Sequence, residues 1–171
     1  MHRITPHIRE ISNFPTPGVL FKDITPLLRN PQAMNLAVQG MIQPFQDHPI
    51  TAVAGMEARG FMFGALVAHE LNVGFIPLRK PGKLPYYTHC VDYDLEYGSS
   101  AMEIHRDAIV EGDKILIVDD VLATGGTALA SCQLIETLGG DVVGCTFLLE
   151  ISALKGRQKL KAYSLHSLLQ D

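Results

Sequence analysis

The chain has 171 residues, of which 47% are hydrophobic and 19% charged, and carries a formal net charge of −4 at pH 7. That length suits one well-buried domain and is too short for two comfortable ones, the acidic balance argues against general nucleic-acid binding, and the most apolar helix candidate, 61–68, is too short to span a bilayer. Cys90, Cys132 and Cys145 are odd in number, widely spaced and without a Cys-x-x-Cys pair, so they indicate neither a disulfide framework nor a zinc site and suit a reducing cytoplasm.

In chain order, the N-terminus Met-His-Arg-Ile-Thr-Pro lacks the apolar core of a secretory signal. Asn13-Phe-Pro-Thr-Pro-Gly18 cannot be regular structure, because two prolines and a glycine in six residues remove donors and fix φ. Residues 31–42 can form a helix. A strand-turn-helix-strand unit follows: an apolar strand at 50–54, the turn Gly55-Met-Glu-Ala-Arg-Gly60, a helix over 61–71 and a strand over 73–78. Glu57 and Ala58 lie in that turn. Its Arg59 sits at the mouth of a helix N-terminus, where two glycines permit close approach of an anion.

The segment 79–98, rich in prolines and turn residues at its start and alternating afterwards, is long for a loop inside a compact domain and reads as a lid. Residues 93–97 followed by 101–105 could form its β-hairpin. Arg79, Lys80 and Lys83 put cations on that lid, although a solvated basic loop is the plainer reading of those three alone. Asp92, Asp94 and Glu96 alternate and read as a polar hairpin face. The seven histidines show no metal spacing.

The run Lys114-Ile-Leu-Ile-Val-Asp-Asp-Val-Leu-Ala-Thr-Gly-Gly-Thr127 carries the most information. Residues 115–118 suit a parallel strand buried on both faces, with Asp119 and Asp120 where it emerges. Gly125 and Gly126 let backbone approach a ligand, and Thr127 is a good N-cap for a helix marked by Leu129, Cys132, Ile135 and Leu138 and ended by Gly139-Gly140. Neither a Walker loop nor a dinucleotide Gly-x-Gly-x-x-Gly is present. The order of carboxylates then glycines suits a ribose 5-phosphate, its phosphate in the turn and its hydroxyls on Asp119 and Asp120. A strand over 142–149 completes an α/β pattern with a mainly parallel sheet. Both special turns fall at C-terminal strand ends, where such sheets bind ligands, so they are expected to share one site.

From Phe14 to about Gln170 the chain resembles the adenine phosphoribosyltransferases, within the type I phosphoribosyltransferases. The resemblance is carried by Phe14-Pro-Thr-Pro-Gly-Val-Leu-Phe-Lys-Asp-Ile-Thr25, Glu57-Ala-Arg-Gly-Phe61, Arg79-Lys-Pro-Gly-Lys-Leu84, Leu95-Glu-Tyr-Gly98 and Val118-Asp-Asp-Val-Leu-Ala-Thr-Gly-Gly-Thr127. It implies a single domain over 1–171, with a base-binding segment at about 13–26 and a flexible lid hairpin at about 79–105, and a mainly parallel central sheet flanked by helices. It also implies transfer of a phosphoribosyl group from PRPP to N9 of adenine, with Mg2+ bound through PRPP, possibly near Asp119 and Asp120.

By resemblance, the backbone of Leu20 and Lys22 reads the adenine edge and Phe21 packs on its ring. A backbone N–H and C=O match adenine and leave buried groups unpaired against a 6-oxo purine. Glu96 is implied as the acid or base near N7, beside Tyr97, and Arg59, Arg79 and Lys83 as partners of pyrophosphate. Ala123, Thr124, Gly125, Gly126 and Thr127 form the phosphate loop, and Ala123 stands where hypoxanthine-guanine enzymes carry an acidic residue. The resemblance further implies a cis peptide between Glu57 and Ala58, and a cytoplasmic homodimer in which Arg79 reaches the partner's site. Two alternatives stay open: an enzyme acting on guanine, xanthine or orotate, and a PRPP-sensing regulator that binds DNA or RNA.

Overall fold

The computed structural model describes residues 3–94 and 99–171. Five strands form one parallel sheet: β3 (Ala52–Met56), β4 (Gly74–Leu78), β7 (Lys114–Leu122), β8 (Asp141–Glu150) and β9 (Leu165–Gln170), in the order β4-β3-β7-β8-β9. Every pairing within it is parallel. The central strands are buried on both faces where they are apolar: all of β3 is buried, and in β7 Ile115 to Val118 are.

Period-two alternation sends successive residues of β7 to opposite faces. Leu116 and Val118 join Val53, Phe63, Val67 and Leu148 under helices α2 (Pro31–Ile42) and α3 (Gly60–Leu71). Ile115 and Ile117 pack on the other face with Ala54, Leu134, Ile135 and Phe147 under α4 (Gly126–Thr137). The helix expected over 31–42 has those bounds, with Asn30 as its N-cap accepting from the Ala33 amide at 2.9 Å.

Two hairpins stand outside the sheet. β1 (Arg9–Ser12) pairs antiparallel with β2 (Leu20–Asp23), and the short helix α1 (Thr25–Arg29) follows. The turn between them is irregular, as its prolines require. β5 (Thr88–Asp94) and β6 (Ser99–His105) form the expected flap hairpin, which begins five residues earlier than the sequence pattern indicated. Its edge meets the main sheet through one antiparallel bridge between Arg79 and Glu103. No helix among the described residues is long and apolar enough to cross a membrane.

The strand order decides where a ligand can go. From β3 the chain moves outward to β4, then returns past β3 to β7 and continues the other way, so the order reverses between β3 and β7. Loops leaving the C-terminal ends of those two strands diverge, and the crevice between them is the binding position of an open α/β sheet.

Candidate active site

The β3 turn and the β7 loop open onto that crevice. A cavity of about 440 Å³ there is lined by Glu57, Ala58 and Arg59 from the first turn, by Asp119, Asp120, Ala123 and Thr127 from the second, and by Tyr93, Ser100 and Met102 of the flap. A smaller recess of about 70 Å³ adjoins it, bounded by Asp119, Ala123, Thr124, Gly125 and Thr127. The two turns expected to share one site therefore line one cavity.

Close backbone approach brings them together. A Cβ on Gly60, at the start of α3, would stand 2.5 Å from Oδ1 of Asp119 and 3.1 Å from the Val118 carbonyl, so only glycine lets this helix rest against β7. The Glu57–Ala58 peptide just before it is cis, as the resemblance implied. β3 itself continues through Met56, which confines the bend to 57–59.

β7 likewise runs further than expected. The strand anticipated over 115–118 continues through both carboxylates to Leu122, because Asp119, Val121 and Leu122 keep their register with β8. The carboxylates thus sit on rigid strand. Asp120 is 4% exposed, and Arg59 Nε lies 2.7 Å from its Oδ2 without the angle of a hydrogen bond. Burial and the neighbouring Asp120 charge push the Asp119 carboxyl well above the usual range, against a 2.8 Å hydrogen bond from the Asp120 amide. Burial also raises Asp120, opposed by the Arg59 charge. Two carboxyls side by side, one buried and one half-buried, resist double ionisation.

Thr127 is not the helix cap. α4 begins at Gly126, and its N-cap is Gly125 at φ +78°, with no side-chain cap. A left-handed φ suits glycine and would strain threonine. The first amides of α4 are left without a side-chain acceptor, beside the small recess. Gly125 also presses on Gly156, a residue the sequence reading passed over: a Cβ on Gly125 would stand 2.5 Å from the Gly156 carbonyl, and one on Gly156 would collide with that of Ala123. No motif signals Gly156, because its constraint comes from a loop some thirty residues away.

The lid cations Arg79 and Lys83 converge on a carboxylate that lines the cavity. Glu57 gathers them: Arg79 Nε at 3.4 Å, the Lys80 amide at 3.1 Å and the Lys83 ammonium all meet its carboxylate. Burial would raise the Glu57 carboxyl, but Lys83, the Lys80 amide and Arg79 together hold it down to about 2.

Leu20, Phe21 and Lys22 form most of β2, which pairs with β1 on one side only. Arg59 caps the Phe21 ring, its guanidinium carbon 5.5 Å from the centroid, while Phe14 packs edge-on from another side at 5.1 Å. The Lys22 side chain is turned away onto Glu10 at 2.6 Å and Asp171 at 2.9 Å. Arg59 thus joins the segment expected to read a base to Asp120, one of the carboxylates expected to hold a sugar. Glu96 and Tyr97 lie outside the described residues.

Residues 27–169 match the model of the phosphoribosyl transferase domain. Adenine phosphoribosyltransferase of Methylococcus capsulatus is 58% identical over 169 residues, covering 99% of each chain. The chain belongs to the adenine phosphoribosyltransferase family. Its fold is accordingly the type I phosphoribosyltransferase fold. Among solved structures, the adenine phosphoribosyltransferase of Rhodothermus marinus superposes with a TM-score of 0.95 at 49% identity, covering 99% of this chain and 97% of that one. The Saccharomyces cerevisiae enzyme, complexed with D-2,5-dideoxy-2,5-imino-altritol 1,6-bisphosphate and adenine, superposes at 0.92 with 37% identity, covering 98% and 97%.

Proposed function

We infer that this crevice carries out its family's reaction: the phosphoribosyl group of PRPP passes to N9 of adenine, giving AMP and pyrophosphate. The observation that carries the reading is Arg59, which joins the Phe21 segment to Asp120 and so brings a base surface, a cation and a sugar-binding carboxylate to one cavity. The yeast relative, complexed with adenine and a bisphosphate together, supports a cleft with room for two ligands.

In this reading the 5-phosphate sits in the recess at the start of α4, held by uncapped amides and the helix dipole. Asp119 and Asp120 accept the ribose hydroxyls. Adenine lies on Phe21, its edge read by the backbone of Leu20 and Lys22. N9 attacks C1 as the C1–O bond to pyrophosphate breaks, and Glu96 takes the proton from N7. Positive charge develops on the ribosyl ring between the carboxylates, while Arg59, Arg79 and Lys83 stabilise the departing pyrophosphate. The flap hairpin excludes water that would otherwise capture C1.

Among the described residues no three His, Cys, Asp or Glu side chains cluster as a metal cage. Asp120 Oδ2 is buried and accepts no hydrogen bond, and beside Asp119 it offers the one or two carboxylates that magnesium requires when substrate phosphates and water complete its shell. The residues therefore fit Mg2+ carried in with PRPP. When bound, it neutralises pyrophosphate charge and improves the leaving group.

The assembly is a cytoplasmic homodimer in this reading, with Arg79 reaching the partner's site, and three unpaired cysteines suit that reducing compartment. The deciding experiment is PRPP consumption against a panel of free bases. Turnover with adenine and not with hypoxanthine, guanine or orotate is expected. Turnover with hypoxanthine in place of adenine overturns the reading.

A further inference from the structure

Glu103 on β6 is 5% exposed and has no part in the reaction described above. Its backbone makes both hydrogen bonds of the bridge that ties the flap to the main sheet: the Arg79 amide donates to its carbonyl at 3.0 Å, and its own amide donates to the Arg79 carbonyl at 2.7 Å. Its side chain then turns back on the loop that follows Arg79. Oε1 accepts from the amides of Lys83 at 3.1 Å and Leu84 at 3.0 Å.

Burial alone would raise this carboxyl. The amides of Leu84, Lys83 and Gly82, with the Thr88 hydroxyl, outweigh burial and hold it below its ordinary range, so the group stays charged. A hydrophobic side chain would fill a buried strand position without the desolvation cost of a carboxylate. What a carboxylate adds is an acceptor for several N–H groups on one short loop, and that loop carries the lid cations.

We propose that Glu103 is a positioning residue for the pyrophosphate end of the site, fixing where the loop presents Arg79 and Lys83 and coupling that loop to the flap. This rests on the reading of those cations as pyrophosphate ligands. Two carboxylates then act on the loop in different ways. Glu103 holds its backbone whether or not a ligand is bound, while Glu57 neutralises its side-chain charges until pyrophosphate takes them over.

The test is steady-state kinetics on Glu103→Ala, Glu103→Gln, Arg79→Ala, Lys83→Ala and the double variant Glu103→Ala/Lys83→Ala, with folding checked by thermal melting. Glu103→Ala is expected to raise the PRPP KM and the pyrophosphate inhibition constant about tenfold and to leave the adenine KM within about twofold, as a displaced clamp does. Glu103→Gln, which keeps one acceptor oxygen but replaces the other with a donor among converging N–H and O–H groups, should raise them about threefold. The double variant should lose less than the product of its two single losses, because Glu103 acts through Lys83.

An unchanged PRPP KM in folded Glu103→Ala overturns the proposal, as does an equal rise in adenine KM or a fully multiplicative double variant. If Glu103→Ala does not fold, Glu103→Gln decides, and a wild-type PRPP KM there overturns it. Should Arg79→Ala and Lys83→Ala both leave PRPP and pyrophosphate affinity unchanged, the cation reading itself fails and takes the proposal with it. Losses in those two without one at Glu103 remove the positioning role alone.

Discussion

Arg59 Nε stands 2.7 Å from Oδ2 of Asp120, so the turn after β3 and the carboxylate pair of β7 are joined by charge across the point where the sheet order reverses. Asp120 is buried, and Asp119 beside it is raised by burial and by Asp120 itself. The guanidinium is the nearby charge that favours ionisation of both.

Removing that charge should therefore shift a pH profile. In Arg59→Ala both carboxyls lose a stabilising cation and their pKa values rise further. Carboxylates that accept ribose hydroxyls must be ionised, so the acid limb of kcat/KM for PRPP is expected to move to higher pH. Profiles of wild type and variant in one buffer series check this. An acid limb that stays in place would show that Arg59 does not govern the pair.

Asp119 and Asp120 should show a trade between function and stability. A carboxyl whose folded pKa is raised binds more protons in the folded state than in the unfolded one. Its contribution to stability therefore falls as pH rises from the ordinary carboxylate value through the folded one, and at neutral pH the charged pair destabilises the fold. Asp120→Asn is expected to raise the melting temperature at pH 7 relative to wild type, with the difference vanishing at acid pH. It should also weaken PRPP binding about tenfold or more in calorimetry, through loss of a charged acceptor. Unchanged PRPP affinity would remove the ribose-holding role.

Gly156 lies outside every recognised motif yet packs against the loop proposed to hold the 5-phosphate. Gly156→Ala must push on the Ala123 carbonyl and through it on Gly125. The expected outcome is a PRPP KM raised about tenfold or more with an adenine KM near wild type, since a shift of about 1 Å at a binding loop carries such costs. An equal loss for both substrates would point to general unfolding instead, which melting curves separate.

Glu96→Gln should lower kcat by about 10² or more while leaving PRPP affinity nearly intact, as expected for a group that moves a proton in the transition state. Near-wild-type turnover would exclude Glu96 from acid-base work.

Local chemistry made much of this protein readable in its sequence. Unbroken apolar β-branched runs such as Ile115 to Val118 suit strands covered on both faces, and Pro31 with Asn30 set the start of α2, because these constraints act between neighbours in the chain. The Gly-rich turn after β7 and the Arg59 turn were legible for the same reason. Contacts between distant segments were not. Thr127 looked like a cap until the left-handed φ of Gly125 moved the helix start, and Asp119 and Asp120 looked like loop residues until pairing with β8 extended the strand. That Glu57, which lines the cavity, also holds Arg79 and Lys83 was not legible, and Gly156 and Glu103 gave no local sign at all. The sequence by itself determined the fold class and the strand-turn-helix units around the two turns, while β1, α1 and β9 were not foreseen. Only the tertiary structure decided which charge faces which, because ion pairs, close approaches and burial depend on separations that folding creates between residues far apart in the chain.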